Sequence, residues 1–210
     1  MLINLLFENP ALFVAGIVAI VVSLTIHEFA HALVAQYHGD DTAQSLGRLT
    51  LNPLAHLDPL GFAMLLVSPI GWAKPVPVNV YNLRNPRFAS AMVSLAGPIS
   101  NLLAIIIFII AFRLLVPTLG GDNLLTIFLI LLIQINTMLM VFNLLPIPPL
   151  DGSKVLFSIL PDSYNGFKEQ LSVQGPIILL GLVIVDNLMN LGIFRAIFGW
   201  VFGFVGLFLA

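Results

Sequence analysis

His27-Glu28-Phe29-Ala30-His31 is an H-E-x-x-H motif embedded in a long apolar run. On a helix, positions i and i+4 share a face, so the two imidazoles can grip one metal ion while Glu28 acts as general base toward water. An ionisable triplet in hydrocarbon costs roughly 2.5 kcal/mol or more per charged group on insertion scales, which marks it as functional rather than incidental. The chemistry this points to is hydrolysis at a zinc centre within a membrane.

A catalytic zinc site takes three protein ligands and leaves one position open. The chain has no cysteine, which excludes thiolate ligands, thiol catalysis and disulfides. Beyond His27 and His31, the candidate ligands are His38, His56, Asp40, Asp41, Asp58 and Asp151. Asp151 sits in Asn143-Leu144-Leu145-Pro146-Ile147-Pro148-Pro149-Leu150-Asp151-Gly152, where prolines break an apolar run. Broken backbone at membrane depth is tolerated chiefly where protein buries it or where it lines a wet cavity. Read without a metal, the same stretch is a Pro-rich helix exit with a solvated aspartate opening the next helix; the need for a third ligand favours Asp151. His56 reads first as a loop histidine bonded to backbone and second as a group behind the ligands. His38 and Trp72 read as interfacial residues, and Lys74, Arg84 and Arg87 as topology determinants. Gly97-Pro98 suits close helix packing or a kink, with Asn101 one turn further in.

The elements that must position these groups are membrane helices. Of 210 residues, 59% are hydrophobic and 9% charged, against roughly 25% charged in soluble domains. The expected fold is an all-α integral membrane bundle of about five transmembrane helices, at roughly 20 residues per span, in a single membrane-embedded domain. Its parts are a metal-motif helix over 11–36, a loop over 37–88, helices over 89–116 and 123–145, a third-ligand loop over 146–172, and a helical hairpin over 173–210. Within the long loop, 61–72 is apolar but too short to span, so it is re-entrant or surface-lying, while 74–81 (KPVPVNVY) reads as a short extended or β segment. The first apolar run carries the motif and lacks a positive flank, so it does not read as a removable signal peptide. A net charge of −2 without a basic cluster excludes nucleic acid and a polybasic lipid patch.

Helix rise places the motif. His27 lies about 25 Å past Pro10 in a hydrocarbon core near 30 Å thick, and Asn143 about 28 Å past Leu124, so each is near the far end of its span. Those ends meet only if a single crossing, 89–116, separates them. Arg48, Lys74, Arg84, Arg87, Lys154 and Lys168, six of the eight basic residues, share that end, which is therefore expected to be cytoplasmic, with Arg113 and Arg195 toward the outside.

HEFAH in an apolar helix, Gly97-Pro98-Ile99-Ser100-Asn101, and NLLPIPPLDG about 110 residues after the first motif together resemble the site-2 protease family of intramembrane zinc metalloproteases. GRLTLNPLAHLDPLG and GWAKPVPVN are similar to its compact prokaryotic branch without a PDZ domain. The resemblance covers about residues 15 to 155. It implies that His27, His31 and Asp151 hold one Zn2+ per chain and that Glu28 activates the water. It also implies that Asn143 and Asn101 line the cleft and hold substrate backbone or the developing oxyanion. The expected activity is endopeptidase cleavage of transmembrane protein substrates in the lipid bilayer of a prokaryotic plasma membrane. An intramembrane metal transporter and an inactive membrane-helix-binding relative are the alternatives. The transporter has no need of Glu28 as a base, and the inactive relative no need of the intact motif. The sequence leaves the oligomeric state open.

Overall fold

The computed structural model describes residues 2–67 and 71–209. A short helix, α1 (Leu2–Glu8), leads into α2 (Pro10–Tyr37). Asn9 starts α2 by accepting the Leu12 N–H at 3.0 Å, and Pro10 fills the first helical position, where its missing N–H costs nothing. At 28 residues α2 is about 42 Å long. It ends at His38 and Gly39, whose φ of 101° suits glycine.

The following loop carries α3 (Thr42–Ser45), a single turn at Pro53–Ala55, and α4 (Pro59–Val67). Asp58 caps α4 through the Gly61 N–H at 2.8 Å. Nine residues make α4 about 13 Å long, too short to cross a membrane, and it packs on α1. Residues 68–70 of the expected 61–72 segment lie outside the described residues. The expected β segment forms no strand: 73–79 is a non-helical strap, since Pro75 and Pro77 have no N–H for a ladder.

Then come α5 (Pro86–Leu119), α6 (Leu124–Asn143), α7 (Asp151–Ile159), α8 (Asn165–Leu188) and α9 (Ile193–Gly206). Gly120, at φ 80°, ends α5, and the Asn123 side chain caps α6 through the Leu125 N–H at 2.9 Å. Pro146 bars Leu145 from the helical region, and α6 stops two residues before it.

The bundle centre is α2, α5 and α6, each packed on the other two, with α7 against α5. Hydrogen bonds fix their directions. His31 meets Val93 and His27 meets Asn101, so α5 runs antiparallel to α2; Asn101 meets Asn136, and Asn136 in turn meets Ser23. Only four residues, 120–123, join α5 to the α6 that packs along it, so α6 turns back antiparallel to α5 and its C-terminal end shares one side with that of α2. Ala19, Ile105, Phe112, Leu129, Leu132, Ile133 and Val205 form the apolar core away from the site. The outer face of α5 exposes Leu103, Ile106, Ile107, Ile110 and Leu114, the surface a lipid solvent accepts and water would not.

Among the described residues, α2, α5, α6 and a helical stretch covering α8 are long and apolar enough to cross a membrane. That is four against the about five expected, because α9 has only 14 residues. Where a C-terminal helical hairpin is expected, two helices follow one another, α8 and α9; Asp186 accepts the Ile193 N–H at 2.7 Å between them, and α9 packs on α6. Its first helix begins at Asn165 rather than near 173, since its opening turns are polar and carry no apolar signal.

Candidate metal centre

Ala19, Ser23, His27, His31 and Ala35 form a buried stripe along α2, spaced four apart. Small residues flank the two imidazoles and let α5 approach. The facing stripe on α5 is Val93, Gly97 and Asn101, also four apart. A Cβ on Gly97 would fall 2.5 Å from His31 Nε2 and 2.6 Å from His27 Nε2, so α5 passes this close only as glycine. Pro98 follows and leaves the Ser94 carbonyl without its helical donor.

Asp151 arrives from the third side, in the first turn of α7. His27 Nε2 and His31 Nε2 are 3.0 Å apart, and Asp151 Oδ2 lies 3.2 Å from the first and 3.1 Å from the second. All three residues are buried. Tetrahedral coordination with bonds of about 2.0–2.1 Å separates donor atoms by about 3.3–3.4 Å. The triangle is thus within a few tenths of an ångström of that spacing, and its two imidazoles and one carboxylate suit a catalytic metal with an open fourth position. The Lys154 ammonium, 3.6 Å from Asp151 Oδ1, is more than half exposed and adds little.

Hydrogen bonds behind the ligands orient them. His31 Nδ1 donates to the Val93 carbonyl at 2.7 Å. His27 Nδ1 donates to Asn101 Oδ1 at 2.7 Å, while Asn101 Nδ2 donates to Asn136 Oδ1 at 2.8 Å. Asn136 Nδ2 donates to Ser23 Oγ at 2.8 Å and to the Leu132 carbonyl at 2.7 Å. The direction of this chain assigns the Nδ1 protons, so both Nε2 lone pairs face Asp151. Both asparagines and Ser23 are fully buried.

Glu28 is buried, and its Oε2 accepts the Val76 N–H of the strap at 2.9 Å. The far end of α7 is tied to α5 by Arg87, which donates to the carbonyls of Ser158 (2.5 Å), Ile159 (3.0 Å) and Leu160 (2.8 Å). Lys168 adds a bond to the Leu160 carbonyl at 2.9 Å.

Of the residues marked in the sequence, His27, His31 and Asp151 come together; His38, His56, Asp40, Asp41 and Asp58 do not join them. His56 Nε2 pairs with the Thr50 carbonyl at 2.8 Å, and His38 stacks edge-on against Tyr37 and Phe88. Asn143, half-buried, donates to the Leu139 carbonyl of its own helix at 3.0 Å. Sequence reasoning missed Asn136 and Ser23. Their signal was an amide and a hydroxyl inside apolar spans, where an unbonded polar group is costly.

The model of the family described as Peptidase family M50 matches residues 118–185, the part that carries Asp151. Over 175 residues the chain is 43% identical to "Putative zinc metalloprotease YwhC" of Bacillus subtilis (strain 168), covering 80% of this chain and 79% of that protein. It is 32% identical over 200 residues to "Putative zinc metalloprotease Rip2" of Mycobacterium tuberculosis (strain ATCC 25618 / H37Rv), covering 92% of this chain and 72% of that protein. It is 32% identical over 144 residues to "Putative zinc metalloprotease MJ0611" of Methanocaldococcus jannaschii, covering 69% and 70%. No solved structure matches the chain. With its buried His-His-Asp group and a carboxylate adjacent to it in the motif, the chain belongs to peptidase family M50, as an all-α membrane metalloprotease.

Proposed function

We propose that this metalloprotease binds one zinc ion at His27, His31 and Asp151 and cleaves peptide bonds within transmembrane segments of other membrane proteins. The observation that carries the reading is the position of the ligand triangle: two of its ligands lie inside the apolar span α2, more than one turn from its end, and α7 brings the third, buried, to them.

Zinc, when held there, acidifies water toward a pKa of about 7 and polarises a carbonyl. Glu28 accepts the proton of the attacking water at its carboxylate and returns it to the leaving amine. Asn101 and the Val93 carbonyl hold the imidazoles in the tautomer that presents Nε2. Asn101 has both ends of its amide committed, to His27 and Asn136, so we assign it to orienting His27 rather than touching substrate. Asn143 spends one amide hydrogen on the Leu139 carbonyl, which leaves its second N–H and its Oδ1 for substrate backbone or the oxyanion.

A helical substrate carbonyl is tied up in its own ladder, so the segment must unwind before attack. The strap and following residues, 74–81, receive the unwound strand by edge pairing. Pro75 and Pro77 restrict that edge to carbonyl acceptors at their positions. A Val78→Pro variant with unchanged KM would contradict this docking.

The basic residues around the C-terminal ends of α2 and α6 support a cytoplasmic-facing site in a prokaryotic plasma membrane. The test is proteomic: membranes from cells carrying wild type, but not Glu28→Gln, should accumulate fragments ending within transmembrane segments. Fragments ending only in soluble loops would move the reading to a membrane-anchored protease of soluble segments.

A further inference from the structure

Three buried polar groups of the first loop have no part in the ligand triangle: Asp40, Arg48 and His56. Arg48, 6% exposed, has no carboxylate within ion-pair distance among the described residues. Burying a guanidinium without a counter-charge is expensive, so its placement needs a cause. Its Nη2 donates to the Lys74 carbonyl at 2.6 Å. The Lys74 N–H in turn donates to the His56 carbonyl at 2.9 Å, and the His56 ring pins that loop to Thr50. One end of the strap is thereby fixed on both its main-chain groups.

The other end is fixed by Asp40, which is fully buried. Its Oδ2 accepts the Asn79 N–H at 2.7 Å, and its Oδ1 accepts the Asn82 amide at 3.0 Å, the Thr42 N–H at 3.1 Å and the Thr42 hydroxyl. Between the two anchors, Val78 packs against the cluster of Ala35, Leu83, Ala89 and Val93. Two residues past Lys74 and three before Asn79, the Val76 N–H meets Glu28.

From this placement we infer that Arg48 and Asp40 are positioning residues for Glu28: they stretch residues 74–79 across the site so that the Val76 amide holds one carboxylate oxygen and leaves the other for water. A glutamate side chain has three rotatable bonds, and a general base must be held in one of its rotamers to work. Val76 is the strap residue suited to this, because Pro75 and Pro77 on either side have no N–H. The inference rests on the endopeptidase reading for its catalytic consequence, but the clamp itself is independent of it.

The experiment uses the full chain in lipid nanodiscs. Deuterium uptake at residues 73–82 is followed in the zinc-chelated protein, and zinc content, kcat and KM on a transmembrane peptide in the loaded one. Arg48→Met and Asp40→Asn should each speed uptake in the strap about tenfold or more and lower kcat about tenfold, with zinc content near wild type. Arg48→Lys, which keeps a donor for the Lys74 carbonyl, should recover most of both. Glu28→Ala should speed exchange at Val76 alone, and Val76→Pro should lower kcat without raising KM. Wild-type uptake and kcat in Arg48→Met and Asp40→Asn would overturn the inference, as would a raised KM with unchanged kcat. If wild type cleaves no peptide, the endopeptidase reading fails, and the uptake in Glu28→Ala and Arg48→Met still decides on the clamp.

Discussion

Asn101 Oδ1 accepts a hydrogen bond from the Nδ1–H of His27 at 2.7 Å, joining residues 74 apart in sequence through one buried bond. It ties the metal-binding helix to the next span, and Asn136 extends the tie to the third.

Loss of that bond should act on the metal first. Asn101→Ala is expected to weaken zinc binding about 10- to 100-fold, and Asn136→Ala by less, because the Asn101 amide then loses a partner but keeps His27. Competition with a chelator of known affinity measures both. Equal, wild-type affinities would remove the asparagine chain from the account.

Gly97→Ala tests the close passage of α5. The added methyl collides with both imidazoles, so either α5 retreats or the rings turn. The variant should lose most zinc and activity while keeping its helical circular dichroism, and Gly181→Ala, with open space around it, should change neither.

Asp151→Ala should lower zinc occupancy and abolish activity, whereas His56→Ala and Asp58→Ala should keep bound zinc. Because the ligands come from α2 and α7, chelation should also lower the melting temperature of wild type in detergent. Near-normal zinc in Asp151→Ala would sink the ligand assignment.

Asp40 gives the first loop a pH dependence. Burial penalises its charge, but hydrogen bonds from Thr42, Asn82 and Asn79 outweigh that and lower its pKa below the ordinary 3.8. A group lowered on folding stabilises the fold fully above its unfolded pKa and loses that contribution as pH falls through the folded value. Melting temperature should therefore drop from about pH 4 downward, and the drop should be smaller in Asp40→Asn. Identical profiles for the two proteins, measured after chelation so that zinc loss does not intervene, would contradict it.

The three central spans were legible because apolar length is a local property: Pro10–Tyr37, Pro86–Leu119 and Leu124–Asn143 start and end within a few residues of the runs read from composition. His27, Glu28 and His31 were legible because helical spacing alone puts chemistry on one face. The bonds of Asp40 and Arg48 were not. Their partners lie up to 42 and 26 residues away and follow no periodic pattern, so Asp40 read as one more candidate ligand and Arg48 as an orienting loop charge. The start of α8 was hidden for a different reason: its opening turns are polar and Pro176 interrupts the apolar run, so neither composition nor periodicity marks a helix there.

The most direct measurement places a peptide with one transmembrane segment in nanodiscs with wild type or Glu28→Gln and maps the products by mass. The account predicts cuts within the membrane-spanning residues by zinc-loaded wild type, no cuts after chelation, and none by Glu28→Gln even though it retains its zinc. Cleavage by zinc-loaded Glu28→Gln at the wild-type rate, or wild-type cuts confined to residues outside the bilayer, would contradict it.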